Sequence, residues 1–377
     1  MDDRTLLAQA GLKYNDPSGA LSVPIYQSAT FRHPELGVTT GYDYTRTGNP
    51  TRNTLEEEIA ALEEGSGAAA FGSGMAAIGA VFQLFKAGDH LIVSEDLYGG
   101  TWRLLDQVFS NFGLSASYVD TTKPEAVSAA IIPSTKALFV ETPSNPGMRI
   151  SDLSALGKIA KDADLLFIVN NTFMTAYVQK PVRFGADIVV YSGTKFIAGH
   201  NDTVCGFVVS KTKDLDVRVK FIQNSYGAIL SPFDSWLVLR GMKTLALRLD
   251  AQTRNAEALV AWLKKQPKVC EVLFPGLPEH PGSRVHKAQA THAGAMISIR
   301  VDTAEAARNV INRVRVFSFA ESLGGVESLI TYPLTQTHAA LPDEFKVRLG
   351  IDDRLLRLSV GIEAEADLRA DLEEALR

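Results

Sequence analysis

The stretch ADIVVYSGTKFIAGHND, residues 186–202, begins as a continuous apolar run and ends on a small-residue turn that carries a lysine, Lys195. Residues 188–191 read as a short strand buried on both faces, the pattern of a parallel sheet covered by helices on either side. A lysine at the end of such a strand has two explanations. One is a side chain that runs its stem along apolar surface and keeps its ammonium in water. The other is an amine held in a cleft to form a Schiff base with a carbonyl cofactor. Four further runs resemble the first: 91–94, 137–141, 165–169 and 204–209. They alternate with helical stretches, and that alternation predicts an α/β fold with a doubly wound, mostly parallel sheet. Ligands of such sheets sit at the carboxyl ends of the strands. Glu141, Asn170 and Lys195 all fall at or just after strand ends.

Outward from this centre, a helix is expected after residue 50, capped by Asn53 with Glu56 three residues on, lined by Leu55, Ile59 and Leu62, and closed near Gly65. The Gly- and Ala-rich run 67–82 reads as a loop entering a buried helix. A helical stretch over 234–265, with breaks, leads to shorter strands at 272–274, 296–301, 316–320 and 356–360. The chain of 377 residues therefore divides into an N-terminal arm (1–50), a larger α/β unit (51–240) and a smaller C-terminal α+β unit (241–377).

Composition narrows the partners. With a net charge of -5 and no basic block, the chain has nothing to attract nucleic acid or an acidic membrane surface. The N-terminus lacks the apolar core of a signal peptide, and no run is long enough to span a bilayer, so a cytoplasmic protein is expected. Cys205 and Cys270 form no CxxC pair or Cys/His cluster. They are expected to pack as small hydrophobes, with no metal site and no disulfide.

Three segments surround Lys195 with suitable chemistry. FGSGMAAIGAV (71–81) opens a helix whose first N–H groups suit a phosphate, although small residues in a helix also serve close packing. SGTK adds the hydroxyls of Ser192 and Thr194. YDYTRTGNPTR (42–52) offers Tyr44 and Arg46, suited to phosphate but equally at home in an exposed loop.

Taken in order, SVPIYQSATF, YTRTGNPTR, GSGMAAI, ETPSNP, ADIVVYSGTK, AESLGGVESL and LRLSVGIE resemble the pyridoxal-phosphate enzymes of Cys/Met metabolism over nearly the whole chain. This is the trans-sulfuration family of cystathionine γ-synthase, the cystathionine lyases and methionine γ-lyase. The resemblance implies the fold-type I architecture, with a central sheet of the seven-stranded type and pyridoxal 5'-phosphate bound to Lys195. It implies that Ser73, Gly74, Met75, Ser192 and Thr194 hold the phosphate, and that Tyr98 stacks on the cofactor and relays protons. Thr172 joins the cofactor-binding set. Asn145 lies near the substrate carboxylate, which Arg357 clamps with help from Ser322. Tyr44 and Arg46 reach the phosphate of a neighbouring subunit, in a homotetramer built as a dimer of dimers.

One position departs from the family. Where an aspartate precedes Asn-Thr-Phe in relatives, this chain reads Asn170-Asn171-Thr172-Phe173. A carboxylate there favours a protonated ring nitrogen and a strong electron sink; an amide carries no charge. The chain then works with a weaker sink, is specialised for a step that needs less of one, or binds the cofactor with little turnover. Asp187 is no substitute, since relatives carry it as well. His200 reads as a structural loop histidine and Tyr191 as packing.

For the reaction, Asp43 and Glu321 matter: acidic residues at both places resemble γ-synthases and γ-lyases, where they hold a distal ammonium. Asp rather than Glu at position 43, with SPFDSWLVLRGMKTL and ITYPLTQTH, leans to γ-replacement on an O-acylhomoserine with cysteine. HPGSRVHKAQ is common among lyases, so C–S cleavage of cystathionine or related sulfur amino acids is the alternative.

Overall fold

The apolar runs of the sequence become the middle of one sheet. The structure, a computed structural model, describes every residue except Asn15. Among the described residues the larger sheet has seven strands: β1 (Gly67–Phe71), β2 (His90–Ser94), β3 (Ser115–Val119), β4 (Thr135–Glu141), β5 (Leu166–Asn170), β6 (Ile188–Ser192) and β7 (Gly206–Ser210). Their spatial order is β1-β7-β6-β5-β4-β2-β3, and β7 alone runs antiparallel to both neighbours.

Side chains alternate across this sheet, and both faces are covered. On one face Leu138, Val140, Phe167, Val169 and Val189 pack with Leu55, Ile59 and Leu62 of the helix Pro50–Glu63 and with Leu153 and Leu156 of the helix Leu153–Asp162. On the other, Leu91, Val93, Phe139, Ile168 and Val190 pack with Ala77, Ile78 and Val81 of the helix Gly74–Phe82. This double burial is why the central strands read as unbroken apolar runs.

Several local expectations are corrected. Residues 67–71 are strand β1 rather than loop, held by pairing with β7 despite the weak strand preference of alanine. The helix that precedes β1 is capped by Asn49, not Asn53. Asn49 accepts a hydrogen bond from the Thr51 N–H, and Pro50 occupies the first turn, where its missing N–H costs nothing. Glu56 is therefore no capping residue. It is buried, accepts the Ala70 N–H at 2.8 Å and the Gln223 amide at 3.0 Å, and ties that helix to β1. Cys205 is buried as expected, but Cys270 is exposed, because it points outward from a strand at the edge of the second sheet.

That second sheet holds β8 (Val269–Leu273), β9 (Met296–Val301), β10 (Ser318–Phe319), β11 (Leu329–Thr331) and β12 (Leu355–Ser359), in the order β10-β11-β12-β9-β8. β11 and, in the larger sheet, β3 have no counterpart among the strands read from sequence. The helical stretch 234–265 is two helices, Pro232–Met242 and Leu245–Leu263, broken at Lys243 and Thr244. The second belongs to two cores. Leu245, Ala246 and Leu249 pack against the larger sheet, whereas Ala256, Leu259, Val260 and Leu263 pack under the smaller one. Among the described residues, no helix is long and apolar enough to cross a membrane.

Candidate active site

The carboxyl ends of β4, β5 and β6 open into a cavity of about 280 Å³, closed from the opposite side by Ser322, Leu323 and Arg357. At one end lies the start of the helix Gly74–Phe82. Ser73 caps it by accepting the Ala76 N–H at 3.0 Å, and Ser73, Gly74 and Met75 line the cavity. A Cβ on Gly74 would sit 2.9 Å from the Ser192 side chain, so the cradle exists only with glycine there. A nine-residue helix with free first-turn N–H groups facing a cavity suits an anion.

Lys195 follows β6 by a tight turn. Gly193 is required in it, since any Cβ would strike the Phe207 ring. Thr194 donates its hydroxyl proton to the Cys205 carbonyl at 3.1 Å and accepts the Cys205 N–H at 2.9 Å, which pins the turn to β7. Its proton is therefore committed to the backbone, and Ser192 is the freer of the two hydroxyls. The Lys195 ammonium donates to Ser322 Oγ at 2.9 Å. Burial, and secondarily the Arg357 charge, pulls its pKa down from 10.5 to about 8, with Glu321 opposing. Ser322 is held at φ +109°, a left-handed backbone that a side chain rarely adopts. Such strain, of about 1–3 kcal/mol, is concentrated at sites where the surroundings fix a side chain. Here the Arg357 guanidinium fixes it by donating to the Ser322 carbonyl at 3.1 Å.

Arg357, in the middle of the second sheet on β12, is 1% exposed. It also donates to Asn145 Oδ1 at 2.8 Å and Thr331 Oγ1 at 3.2 Å, while its Nε has no partner among the described residues. Burial lowers its pKa to about 10, so it stays a cation near neutrality.

His338 holds the same region from behind. It is fully buried, its Nε2 lies 2.9 Å from the Asn145 carbonyl and 3.2 Å from the Leu97 carbonyl, and Thr337 Oγ1 meets Nδ1 at 2.8 Å. Two carbonyls accept only, so Nε2 carries the proton and clamps the chain beside Tyr98 and at Asn145. Burial, reinforced by Arg357, depresses its pKa to about 4. His338→Ala should cost about 1–3 kcal/mol through two unsatisfied carbonyls. A pKa lower in the folded chain than in the unfolded one gives stability that is complete above pH 6.5 and lost as pH falls through about 4. The gap between the unmodified chain and His338→Ala should therefore narrow from pH 6.5 to 4 in urea unfolding; a constant gap would count against a neutral clamp.

At the far end of the cavity Asn170 and Glu141 face each other at the ends of paired strands. Asn170 Nδ2 donates to Glu141 Oε2 at 2.8 Å, and Asn170 Oδ1 accepts from Thr172 N–H at 3.2 Å and Thr172 Oγ1 at 2.6 Å. Burial raises the Glu141 pKa to about 8, with nearby Asp96 acting the same way.

The fold thus brings Ser73, Gly74, Met75, Tyr98, Asn145, Asn170, Thr172, Ser192, Thr194, Lys195, Glu321, Ser322 and Arg357 to one cavity. Asp43, Tyr44 and Arg46 lie elsewhere: all three are exposed, Asp43 pairs with His33 at 3.2 Å, and Arg46 donates to Asn224 at 3.2 Å. Asp187 sits at the opposite end of β6, accepting the Phe167 N–H at 2.9 Å, and cannot stand in for a carboxylate at position 170. Tyr191 is buried in a hydrogen-bonded group with Glu63 and Asn171, and His200 bonds the Ala198 carbonyl at 2.7 Å. Sequence reading placed Glu141 at a strand end but did not include it in the site; an acid inside an apolar strand was the available signal. His338 gave no signal, since its partners lie 193 and 241 residues away.

A half-buried lysine of lowered pKa, an anion cradle that a Cβ would fill and a cavity lined by the Tyr98 ring fit a phosphorylated aromatic aldehyde. The family described as Cys/Met metabolism PLP-dependent enzymes matches residues 4–377. The chain is 48% identical to a cystathionine gamma-synthase of Haemophilus influenzae over 372 residues, covering 98% of this chain and 96% of that one. It is 46% identical to a cystathionine beta-lyase of Lactococcus lactis over 373 residues, covering 99% and 98%. The crystal structure of a cystathionine gamma-lyase from Lactobacillus plantarum complexed with L-serine superposes with a TM-score of 0.97 at 47% identity, covering 100% and 98%.

Proposed function

The chain belongs to the Cys/Met metabolism PLP-dependent enzymes, and on that premise we propose that it performs γ-replacement, joining an O-acylhomoserine to cysteine to give cystathionine. The observation that carries this reading is the loop at 321–323. Ser322 there touches both Lys195 and Arg357, and Glu321 lines the cavity next to it. One short segment thus contacts an amine and a carboxylate clamp and adds an acid suited to a second ammonium, such as that of an incoming amino acid.

When bound, pyridoxal phosphate supplies a carbonyl for the substrate amine and a conjugated ring that draws electron density from Cα. The residues of the chain do the rest. Ser73, Gly74, Met75 and Ser192 would hold the phosphate, with Thr194 bracing the turn. Tyr98, at the start of the helix Gly99–Gln107, lines the cavity and would carry a proton toward the leaving group. Gly100 leaves room for it, since a Cβ there would meet the Tyr98 ring. Arg357 and Asn145 orient the α-carboxylate. Lys195, with a pKa of about 8, is poised to take the Cα proton near neutrality, and Ser322 aims its Nζ. Tyr44 and Arg46, with Asp43, serve the cavity of a neighbouring copy, in a homotetramer of two such dimers; their exposure beside the fully exposed Leu36 supports this.

The test is to incubate the cofactor-loaded protein with O-acylhomoserine and cysteine and follow cystathionine by mass. Cystathionine should accumulate, and Glu321→Ala should raise the KM for cysteine while leaving elimination from O-acylhomoserine alone intact. Cleavage of added cystathionine with no synthesis would replace this reading by a C–S lyase.

A further inference from the structure

We propose that Asn170 presents an N–H donor to the ring nitrogen of the bound cofactor and thereby holds that nitrogen unprotonated. This deepens the reading above and rests on it. The argument is an inventory of donors and acceptors. Ser192 N–H donates to Thr172 Oγ1 at 2.9 Å. A backbone N–H can only donate, so the Thr172 hydroxyl proton must go elsewhere, and Asn170 Oδ1 at 2.6 Å takes it. Thr172 N–H, also an obligate donor, reaches the same oxygen at 3.2 Å. Both lone pairs of Oδ1 are spent, and the amide cannot be turned round without setting its NH₂ against the Thr172 N–H. Nδ2 gives one proton to Glu141 Oε2 at 2.8 Å. What Asn170 has left is a single N–H, on a side chain that is 7% exposed and lines the cavity.

The ring nitrogen of pyridoxal phosphate lies para to its carbonyl carbon. With the carbonyl at Lys195 after β6 and the phosphate at the helix that follows β1, the sheet order β1-β7-β6-β5-β4 would leave the nitrogen toward the ends of β5 and β4. Those ends carry Asn170 and Glu141. A protonated ring nitrogen would set donor against donor in a buried place, whereas an unprotonated one accepts the free N–H. Glu141, whose pKa burial raises to about 8, offers little negative charge at neutrality to draw a proton to the ring.

The experiment loads the full chain with pyridoxal phosphate carrying 15N in the ring and records the nitrogen chemical shift of the holoenzyme near pH 7. The signal is expected in the free-base pyridine range, and Asn170→Asp should move it to the pyridinium range and raise the turnover rate. A pyridinium shift in the unmodified protein overturns the proposal. If Glu141→Gln then returns it to the free-base range, Glu141 rather than Asn170 is the ring's partner. The underlying readings fail separately, whatever the nitrogen shift: γ-replacement fails if no cystathionine forms from O-acylhomoserine and cysteine, and cofactor binding fails if borohydride leaves no labelled cofactor on Lys195.

Discussion

Lys195→Ala is expected to abolish turnover while leaving the fold intact. Loss of a positioned proton carrier alone costs about 10²–10⁴-fold, and the covalent hold on the cofactor is lost with it. Stability should not fall. The Lys195 ammonium has one hydrogen-bond partner, Ser322, and burial already disfavours its charge. Borohydride should trap no adduct on the variant, and its urea midpoint should match or exceed that of the unmodified chain. The lowered pKa has a signature of its own. Capture of the aldehyde by the cofactor-free protein needs the neutral amine, so its rate should climb about tenfold per pH unit and level off near pH 8. A lysine of ordinary pKa would keep climbing toward 10. Rates still rising at pH 9.5 would mean that the cavity does not desolvate this amine.

Arg357→Lys should have the next largest effect. A lysine keeps the charge but loses the planar fork that meets a carboxylate with two parallel bonds. Two charge-assisted hydrogen bonds are weakened at once, and kcat/KM should fall by about 3 kcal/mol, or more than a hundredfold. The interior also suffers, because Asn145, the Ser322 carbonyl and Thr331 all take protons from this guanidinium. The decisive comparison is with a substrate analogue that lacks the α-carboxylate. The unmodified enzyme should discriminate strongly against it, and Arg357→Lys should discriminate little. Equal discrimination by both would remove Arg357 from the carboxylate site.

The sheet and the lysine were legible because double burial writes unbroken apolar runs and the turn at 192–195 needs small residues. Strand β1 was not, since Ala68, Ala69 and Ala70 gain strand structure only from pairing with β7, some 140 residues away, as the register Ala69↔Val208 records. The Asn49-Pro50 start was written locally and was misread, with Asn53 standing as a competing cap of ordinary form. At the site, residues whose chemistry is intrinsic, such as Lys195 and Arg357, could be named from their motifs. His338 could not, since an imidazole acquires its meaning from the carbonyls that happen to face it. Asn170 falls between: the departure from aspartate was visible, but the direction of its amide depends on Thr172 and Glu141 together.

The helix Leu245–Leu263 gives the chain an indivisibility that its two sheets conceal. Its first turns complete one hydrophobic interior and its last turns complete the other. Any cut near 240 would strip Leu245, Ala246 and Leu249 from the piece that keeps Lys195 and leave the opposite piece with an unburied apolar stripe. The amine and the guanidinium that face each other across the cavity are therefore inherited together. A gene fragment encoding only one of them would encode neither a catalyst nor a well-packed remnant, and recombination between relatives should respect this helix as a single unit of exchange.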